Sequence, residues 1–226
     1  MIPLLAIDEL YRLLLKEYGP QHWWPAQSIF EIFAGAILTQ NTAWRNVERA
    51  LDNLKQAGAL SPDQMLAMRP HALSELLRPS GCYNVKTRHL RAMCTWLVDN
   101  GLVDNGGYAR LATLGTSDLR DSLLSVHGIG QETADVILVY AFERPVFVVD
   151  AYARRLFSRA GLIQGKESYQ EIRGLVETQM TPDAADFNEL HALIVEHAKQ
   201  TCRKNPRCDA CRAYRRCRYS IDKNEP

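Results

Sequence analysis

LRDSLLSVHGIGQETADVILVYAFERPVFVVDAYARR, residues 119–155, is the stretch of the chain that decides the fold. Its first eight residues favour a helix, and after the turn His127-Gly128-Ile129-Gly130 a second helix begins at QETADVILVYAF. Two glycines around one apolar residue permit a tight turn with positive φ and exposed backbone N–H groups. These groups lie where the dipole of the second helix favours an anion. The pattern predicts an ordinary helix–helix turn or a hairpin in which Gly128, Ile129 and Gly130 bind a DNA phosphate.

An acidic residue follows this hairpin at the end of an apolar connector. The run Val146–Val149 has the composition of a strand but no evident partner strand, so we expect an extended connector. Asp150 comes directly before a new helix, where the commonest role of an aspartate is that of an N-cap. The order of hairpin, helix, connector, carboxylate and helix also permits a functional role for this acid.

The rest of the chain has helical hydrophobic periodicity. Ser28-Ile29-Phe30-Glu31 has the form of a capping box, and Ser61-Pro62 marks a further helix start. The sequence therefore predicts an all-α fold. Helical segments are expected at 4–17, 28–38, 46–55, 71–78, 86–98, 117–125, 132–142, 151–161, 167–179 and 184–200.

Composition limits the class of protein. The chain has 226 residues, 46% of them hydrophobic and 23% charged, with a formal net charge of +1, which excludes a disordered chain. No apolar run is long enough for a transmembrane helix. The first residues, MIPLLAIDELYRLLLK, carry Asp8 and Glu9 and lack a basic leader, so they predict an amphipathic helix and not a signal peptide. We therefore expect an intracellular, cytoplasmic protein with no membrane partner.

The C-terminal part combines positive charge with cysteines. Residues 198–220 contain eight lysines or arginines and one acidic residue, which indicates a polyanionic partner or, alternatively, a solvated basic tail. Four cysteines lie within the same segment, two of them as a C-x2-C pair, so they can surround one metal centre. Zinc and a [4Fe-4S] cluster both accept four thiolates, and free or redox-active thiols are the alternative. The four cysteines are Cys202, Cys208, Cys211 and Cys217.

This order of motifs resembles the helix-hairpin-helix DNA glycosylase superfamily, specifically its endonuclease III branch with a C-terminal iron–sulfur loop. The resemblance runs from about residue 20 to Cys217, although five residues separate the first two cysteines here and six is usual. It implies a [4Fe-4S] cluster on the four cysteines, with zinc as the alternative. It also implies a monomer that acts on double-stranded DNA containing a damaged base. The expected domains are a helical barrel, 25–143, and a second helical domain made of 1–24 and 144–226.

The resemblance also assigns the chemistry. Asp150 matches the catalytic carboxylate, which would stabilise positive charge on the sugar and orient an attacking water. Bifunctional members carry a lysine two residues after the second hairpin glycine, where it forms a Schiff base. This chain has Glu132 at that position, and a carboxylate forms no imine. The sequence therefore predicts a monofunctional, water-using glycosylase without efficient AP lyase activity.

Three tryptophans in the first 44 residues point to the substrate. The strings WWP and ILTQNTAW resemble the 3-methyladenine DNA glycosylases of the same branch, in which aromatic rings bind an alkylated purine. The resemblance implies that Trp24 and Trp44 sandwich the flipped base, that Trp23 and Pro25 shape the pocket, and that Glu132 contacts the base or replaces the lysine. The alternative for Glu132 is an exposed helix residue without a role in the site. Stacking on electron-rich indoles suits a cationic base. The alternative is that these tryptophans fill the core.

Two further matches concern the opening of the duplex. Gln40 matches the residue that fills the gap left by the flipped nucleotide, with helix-end bonding as its alternative. Cys82 takes the place of a wedge residue, and Lys86 is expected to contact phosphate or to be a surface cation. The predicted function is excision of 3-methyladenine or another alkylated purine. The alternatives are a bifunctional glycosylase for oxidised pyrimidines, a mismatch thymine or uracil glycosylase, and a non-catalytic zinc module that binds nucleic acid.

Overall fold

A computed structural model describes residues 5–181 and 183–224, the last of these by its backbone alone. Within these ranges the chain is all-α, as predicted, and contains no β-strand. No helix in the described ranges is long and apolar enough to cross a membrane. The α-helices are α1 (Ile7–Tyr18), α2 (Ile29–Leu38), α3 (Trp44–Gln56), α4 (Pro62–Ala67), α5 (Pro70–Leu77), α6 (Tyr83–Asp99), α7 (Asn105–Thr113), α8 (Thr116–Leu124), α9 (Gln131–Phe142), α10 (Ala151–Ala160), α11 (Tyr169–Gln179), α12 (Ala184–Gln200) and α13 (Arg218–Asn224).

The sequence did not predict α7, and the reason lies in its first turn. The helix begins with Asn105-Gly106-Gly107, and two glycines in succession have low helix propensity. Asp104 compensates as the N-cap, since its side chain accepts a hydrogen bond from the N–H of Gly107 at 2.8 Å. The sequence Asp-Asn-Gly-Gly is also typical of a turn, and for this reason the sequence does not indicate a helix here.

The predicted capping box at the start of α2 is only half formed. The Ser28 hydroxyl accepts from the N–H of Glu31 at 3.1 Å, as expected. Glu31, however, accepts from the N–H of Gln27 at 3.0 Å and pairs with the Lys55 ammonium at 2.7 Å. The carboxylate is buried, so its charge is balanced by a lysine from another helix.

The chain divides into two compact units. One is Trp24–Phe142, with α2 to α9, and the other is formed by the segments before and after it. In the first unit α2 is buried along almost its whole length and packs against α3, α6 and α9. We propose that the two units are the domains expected at 25–143 and at 1–24 with 144–226.

The second unit encloses the apolar connector. Val146–Val149 has no regular secondary structure and is fully buried, and the Phe147 ring stacks on Phe157 of α10 with centroids 5.9 Å apart. The N–H of Phe147 donates to the Glu177 carboxylate at 3.0 Å, so a side chain of α11 replaces the partner strand. The connector thus delivers Asp150 to the start of α10 from a fixed position in the core.

Candidate functional site

The turn between α8 and α9 has a positive φ at the first of its two glycines. Gly128 has φ of +91°, and a Cβ there would lie 2.2 Å from the His89 ring. Ile129 is buried, and its N–H donates to the carbonyl of Val126 at 3.0 Å. Gly130 is exposed, with open space where a side chain would begin. The turn is therefore anchored by Ile129 and open at Gly130; phosphate binding by this hairpin stays a prediction.

A buried ion pair that the sequence reasoning missed joins the two hairpin helices. Arg120 of α8 donates through Nε to Asp135 Oδ1 at 2.7 Å and through Nη2 to Oδ2 at 3.3 Å. The side chain of Asp135 is fully buried, and that of Arg120 is 12% exposed. The available signal was an acid in the otherwise apolar segment TADVILVY, since a buried carboxylate requires a partner.

Gln40 is held against the hairpin. Its Nε2 donates to the Gly128 carbonyl at 3.0 Å and to the Thr133 hydroxyl at 3.1 Å, and its Oε1 lies 3.3 Å from His89 Nδ1. Gln40 follows the end of α2 and does bond the backbone, as the alternative expected, but at the hairpin turn and not at its own helix end. The gap-filling role stays a prediction, and it would require the amide to exchange these contacts for an unpaired base.

At the start of α6, Cys82 is exposed, whereas Lys86, the expected phosphate contact or surface cation, is buried. Cys82 is exposed and has a left-handed φ of 45° at the N-cap of α6. Lys86 is 2% exposed, and its ammonium donates to the carbonyls of Leu38 at 2.9 Å and Ser80 at 2.6 Å. Burial lowers the pKa of this ammonium. A phosphate contact by Lys86 is therefore wrong, because the side chain ties the C-terminal end of α2 to this loop.

Trp24 and Trp44 meet directly in this structure. Their ring centroids are 4.8 Å apart at an interplanar angle of 84°, and Trp24 also contacts Tyr140 at 5.0 Å. A base between two parallel rings needs roughly 7 Å between the ring planes, twice a van der Waals contact. The two rings therefore do not form the expected sandwich here. Trp44 and Pro25 line an open cleft of about 390 Å³ bordered by charged side chains.

Trp23 belongs to the other unit, although it is the neighbour of Trp24. Its ring contacts His191 of α12 edge to face, with centroids 6.1 Å apart, and the Lys199 ammonium lies 5.5 Å from its centroid. The Asn188 amide donates to the Trp23 carbonyl at 3.0 Å. Trp23 therefore packs on α12, and it is not part of the cluster of Trp24, Trp44 and Tyr140.

Asp150 is the N-cap of α10, and its side chain is 13% exposed. Its Oδ1 accepts from the N–H of Ala153 at 2.7 Å, and its Oδ2 lies 3.7 Å from Nε2 of His191. One oxygen thus caps the helix and the other faces a histidine. Sequence reasoning missed His191 because a lone histidine in the apolar run of α12 carries no local pattern.

Glu132 occupies the exposed first turn of α9, beside the hairpin. A carboxylate at this end of a helix interacts favourably with the helix dipole. No lysine stands at this hairpin position, as the sequence shows. Whether Glu132 contacts a base stays a prediction.

The four C-terminal cysteines line one cavity together with apolar side chains. Cys211 Sγ lies 3.9 Å from His197 Nε2, and burial raises the pKa of this thiol to about 11. Burial also lowers the pKa of His197 to about 4. In the described ranges no three metal-binding side chains have the arrangement of a finished metal site. Donor number and donor type nevertheless fit a metal centre, because four sulfurs share one cavity of low polarity.

Contacts to α1 and α10 hold the cysteine segment. Arg159 of α10 donates to the carbonyl of Cys202 at 3.3 Å and lies 3.4 Å from its sulfur, and Cys217 donates to the Arg159 carbonyl at 3.2 Å. Arg216 pairs with Glu9 of α1 at 2.6 Å, and Arg212 pairs with Glu17. Part of the positive charge predicted to face a polyanion therefore anchors the segment. The cations in exposed positions include Arg203, Lys204, Arg207 and Arg215.

Residues 34–182 match the HhH-GPD superfamily base excision DNA repair protein family. The chain is 45% identical over 210 residues to "Putative DNA repair glycosylase MJ1434" of Methanocaldococcus jannaschii, with 91% of this chain and 92% of that protein covered. It is similar in structure to a non-covalent endonuclease III–DNA complex, with a TM-score of 0.83, 20% identity and coverage of 97% and 98%, a likeness of fold alone. It is also similar to the H. pylori 3-methyladenine DNA glycosylase MagIII bound to 1,N6-ethenoadenine, with a TM-score of 0.73, 28% identity and coverage of 87% and 98%.

Proposed function

The chain belongs to the HhH-GPD superfamily of base excision DNA repair proteins, and we propose that it is a monofunctional DNA glycosylase for alkylated purines. Its substrate is duplex DNA, and it hydrolyses the N-glycosidic bond of a damaged base such as 3-methyladenine. It acts as a monomer and leaves an abasic site.

The observation that carries this proposal is the position of Asp150. The connector fixes the position of this residue. Its Oδ1 accepts the hydrogen bond that caps the N-terminus of α10, and its Oδ2 takes no part in that bond. Loss of the base leaves positive charge on the deoxyribose. A carboxylate close to the sugar stabilises that charge and orients the water that attacks the same carbon.

The absence of an amine at the hairpin supports hydrolysis over lyase chemistry. A lyase forms an imine between an amine and the sugar carbon C1′ as the base leaves. The strand then breaks by β-elimination of the phosphate on the 3′ side of that sugar. Glu132 stands where the resemblance places that lysine, and its carboxylate forms no such bond. Water is therefore the nucleophile, and the hairpin contributes phosphate binding through Gly128, Ile129 and Gly130.

The aromatic cluster supports an alkylated purine as the substrate. Trp24, Trp44 and Tyr140 lie together in one unit, and a purine made cationic by alkylation stacks favourably on such rings. The similar H. pylori protein, which is a 3-methyladenine DNA glycosylase, favours the same class of substrate. Because the two tryptophans touch here, entry of a base requires one ring to turn away from the other. Trp23 and Pro25 are the sequence neighbours of Trp24 on either side.

We further propose that Cys202, Cys208, Cys211 and Cys217 hold a [4Fe-4S] cluster, with zinc as the alternative. When bound, the group holds the C-terminal loop in shape and takes no part in hydrolysis. The exposed cations of the loop then contact DNA phosphates, and Gln40 and Cys82 enter the duplex beside the flipped base.

The first experiment measures free-base release from methylated duplex DNA while strand nicking is assayed in parallel. Release of 3-methyladenine without nicking and without a borohydride-trapped complex is the expected result. Activity on thymine glycol with nicking would show a bifunctional enzyme instead. Release of mismatched thymine or uracil alone would show a mismatch glycosylase. A protein that binds DNA, contains zinc and releases no base would contradict the enzymatic proposal.

The variant Asp150→Asn tests the catalytic residue. Asparagine still accepts the hydrogen bond from Ala153, so the helix cap and the fold persist. Without the negative charge we expect the single-turnover excision rate to fall by roughly 10³-fold, with DNA affinity unchanged within about threefold. Base release at the wild-type rate would remove Asp150 from the mechanism.

A further inference from the structure

His191 faces the carboxylate of Asp150 from the middle of α12. Its Nε2 lies 3.7 Å from Asp150 Oδ2, and the two side chains are only 7% and 13% exposed. The flanking residues of α12, Leu190 and Ala192, are fully buried, so the backbone that carries the imidazole is fixed in the core. A histidine and a carboxylate are thus brought together where little water screens them.

The carboxylate needs a second anchor if its plane is to be fixed. The bond from Ala153 to Oδ1 holds one oxygen, but the group still turns about that contact. A donor next to Oδ2 restricts this rotation. In the tautomer with its hydrogen on Nε2, an imidazole presents a donor to the carboxylate that faces it. At 3.7 Å the two atoms are within the range of an ion pair but beyond a normal hydrogen bond, so the imidazole acts on the carboxylate through the electrostatics of its N–H group.

The imidazole is in turn held by Trp23. The edge-to-face contact between the two rings limits rotation of His191, and Asn188 fixes the Trp23 backbone by binding its carbonyl. Lys199 lies over the same indole ring. Asn188, His191 and Lys199 all belong to α12, so one helix sets the position of Trp23, and Trp23 sets the orientation of the imidazole.

We infer that His191 is a positioning residue, which directs Oδ2 of Asp150 toward the sugar of the flipped nucleotide. The inference rests on the proposed function, because it assigns His191 a task only if Asp150 acts on a sugar. It also gives Trp23 a role in supporting the carboxylate in place of shaping the base pocket. Errors of about 1 Å in the placement of a reacting group cost roughly 100-fold in rate, so the effect is measurable.

The test compares His191→Gln with His191→Phe. Phenylalanine keeps a ring against Trp23 and removes the donor, whereas glutamine restores an N–H donor without a ring. We expect His191→Phe to lower the single-turnover excision rate by roughly 10- to 100-fold. His191→Gln should retain the rate within about fivefold, and both variants should bind a duplex with an abasic-site analogue as wild type does. His71→Leu, at an exposed histidine of α5, is the matched control and should change neither quantity.

Equal losses in the Phe and Gln variants, or no loss in either, would overturn the inference. Thermal unfolding of each variant shows whether it is folded, and His191→Leu replaces His191→Phe if the larger ring prevents folding. In the Asp150→Asn background, His191→Phe should cause no further loss, because its effect passes through the carboxylate. An additive loss there would contradict the inference. Wild-type protein that releases no base would instead overturn the proposed function, so the two failures are distinguishable.

Discussion

At the scale of single residues, side chains from distant parts of the chain decide roles that local pattern leaves open. Lys86 follows an exposed loop and has the local sequence of a surface cation, yet the carbonyls of Leu38 and Ser80 bind its ammonium. Leu38 is 48 residues away in the chain, so no local pattern announces that contact. Asp150 is the opposite case, because its position follows from the order of hairpin, connector and helix.

Gly128 should be irreplaceable for two reasons at once. Its positive φ disfavours any side chain, and a Cβ would collide with the His89 ring. We expect Gly128→Ala to lower the free energy of unfolding by roughly 2–4 kcal/mol, as measured by urea denaturation. Gly130→Ala is the control within the same turn, since open space surrounds its missing Cβ. A similar loss in both variants would show that the turn, and not the contact with His89, governs the effect.

At the scale of elements, the hairpin depends on the pair of Arg120 and Asp135. Removal of the arginine leaves a fully buried carboxylate without its counterion. We expect Arg120→Met to lower the free energy of unfolding by roughly 3–5 kcal/mol in urea denaturation, and Asp135→Asn in the same chain to restore part of it. Loss of the pair should also weaken DNA binding, because α8 and α9 present the turn.

A surface ion pair provides the control for this prediction. Arg78 pairs with Glu75 at 2.8 Å, with side chains 60% and 42% exposed, so water screens the pair. Arg78→Met should change stability by less than about 0.5 kcal/mol. Equal effects of Arg120→Met and Arg78→Met would mean that burial contributes nothing to the hairpin pair.

The helices were predictable where hydrophobic periodicity and capping residues agreed. Features that depend on tertiary packing were less predictable. The segments from 28–38 to 184–200 that were expected to be helical are helices, because their apolar stripes recur at helical spacing. The short helix α7 was missed since its Asn-Gly-Gly start resembles a turn. The connector Val146–Val149 lies outside any helix or strand, as expected, because no partner strand is evident in the sequence. Its burial is a property of the packed unit and has no local signal.

At the scale of the whole molecule, two adjacent tryptophans belong to different compact units. Trp23 and Trp24 are adjacent in sequence, yet the first packs on α12 and the second on Trp44 and Tyr140. The sequence suggests one aromatic pocket because Trp23 and Trp24 are adjacent in it. It does not show that the boundary between the two units falls between them. Trp23 is instead associated with Asp150 through His191, which no motif indicated. The order of motifs identified the family, whereas the three-dimensional partners of each side chain had to come from the structure.

The cysteine segment yields the last prediction, because its shape depends on what the four sulfurs bind. Burial raises the pKa values of Cys211 and Cys217, so the cavity favours neutral thiols unless a cation offsets the charge of thiolates. We expect wild-type protein to contain iron and sulfide and to absorb broadly in the visible range. Cys217→Ser should lose most of both and unfold at lower temperature, because a hydroxyl is a poor substitute for a thiolate ligand. Cys82→Ser, at an exposed cysteine outside the cavity, should keep the iron content of wild type. A colourless wild-type protein with one zinc ion would select the alternative metal, and a metal-free protein of unchanged stability would contradict a metal centre at these cysteines.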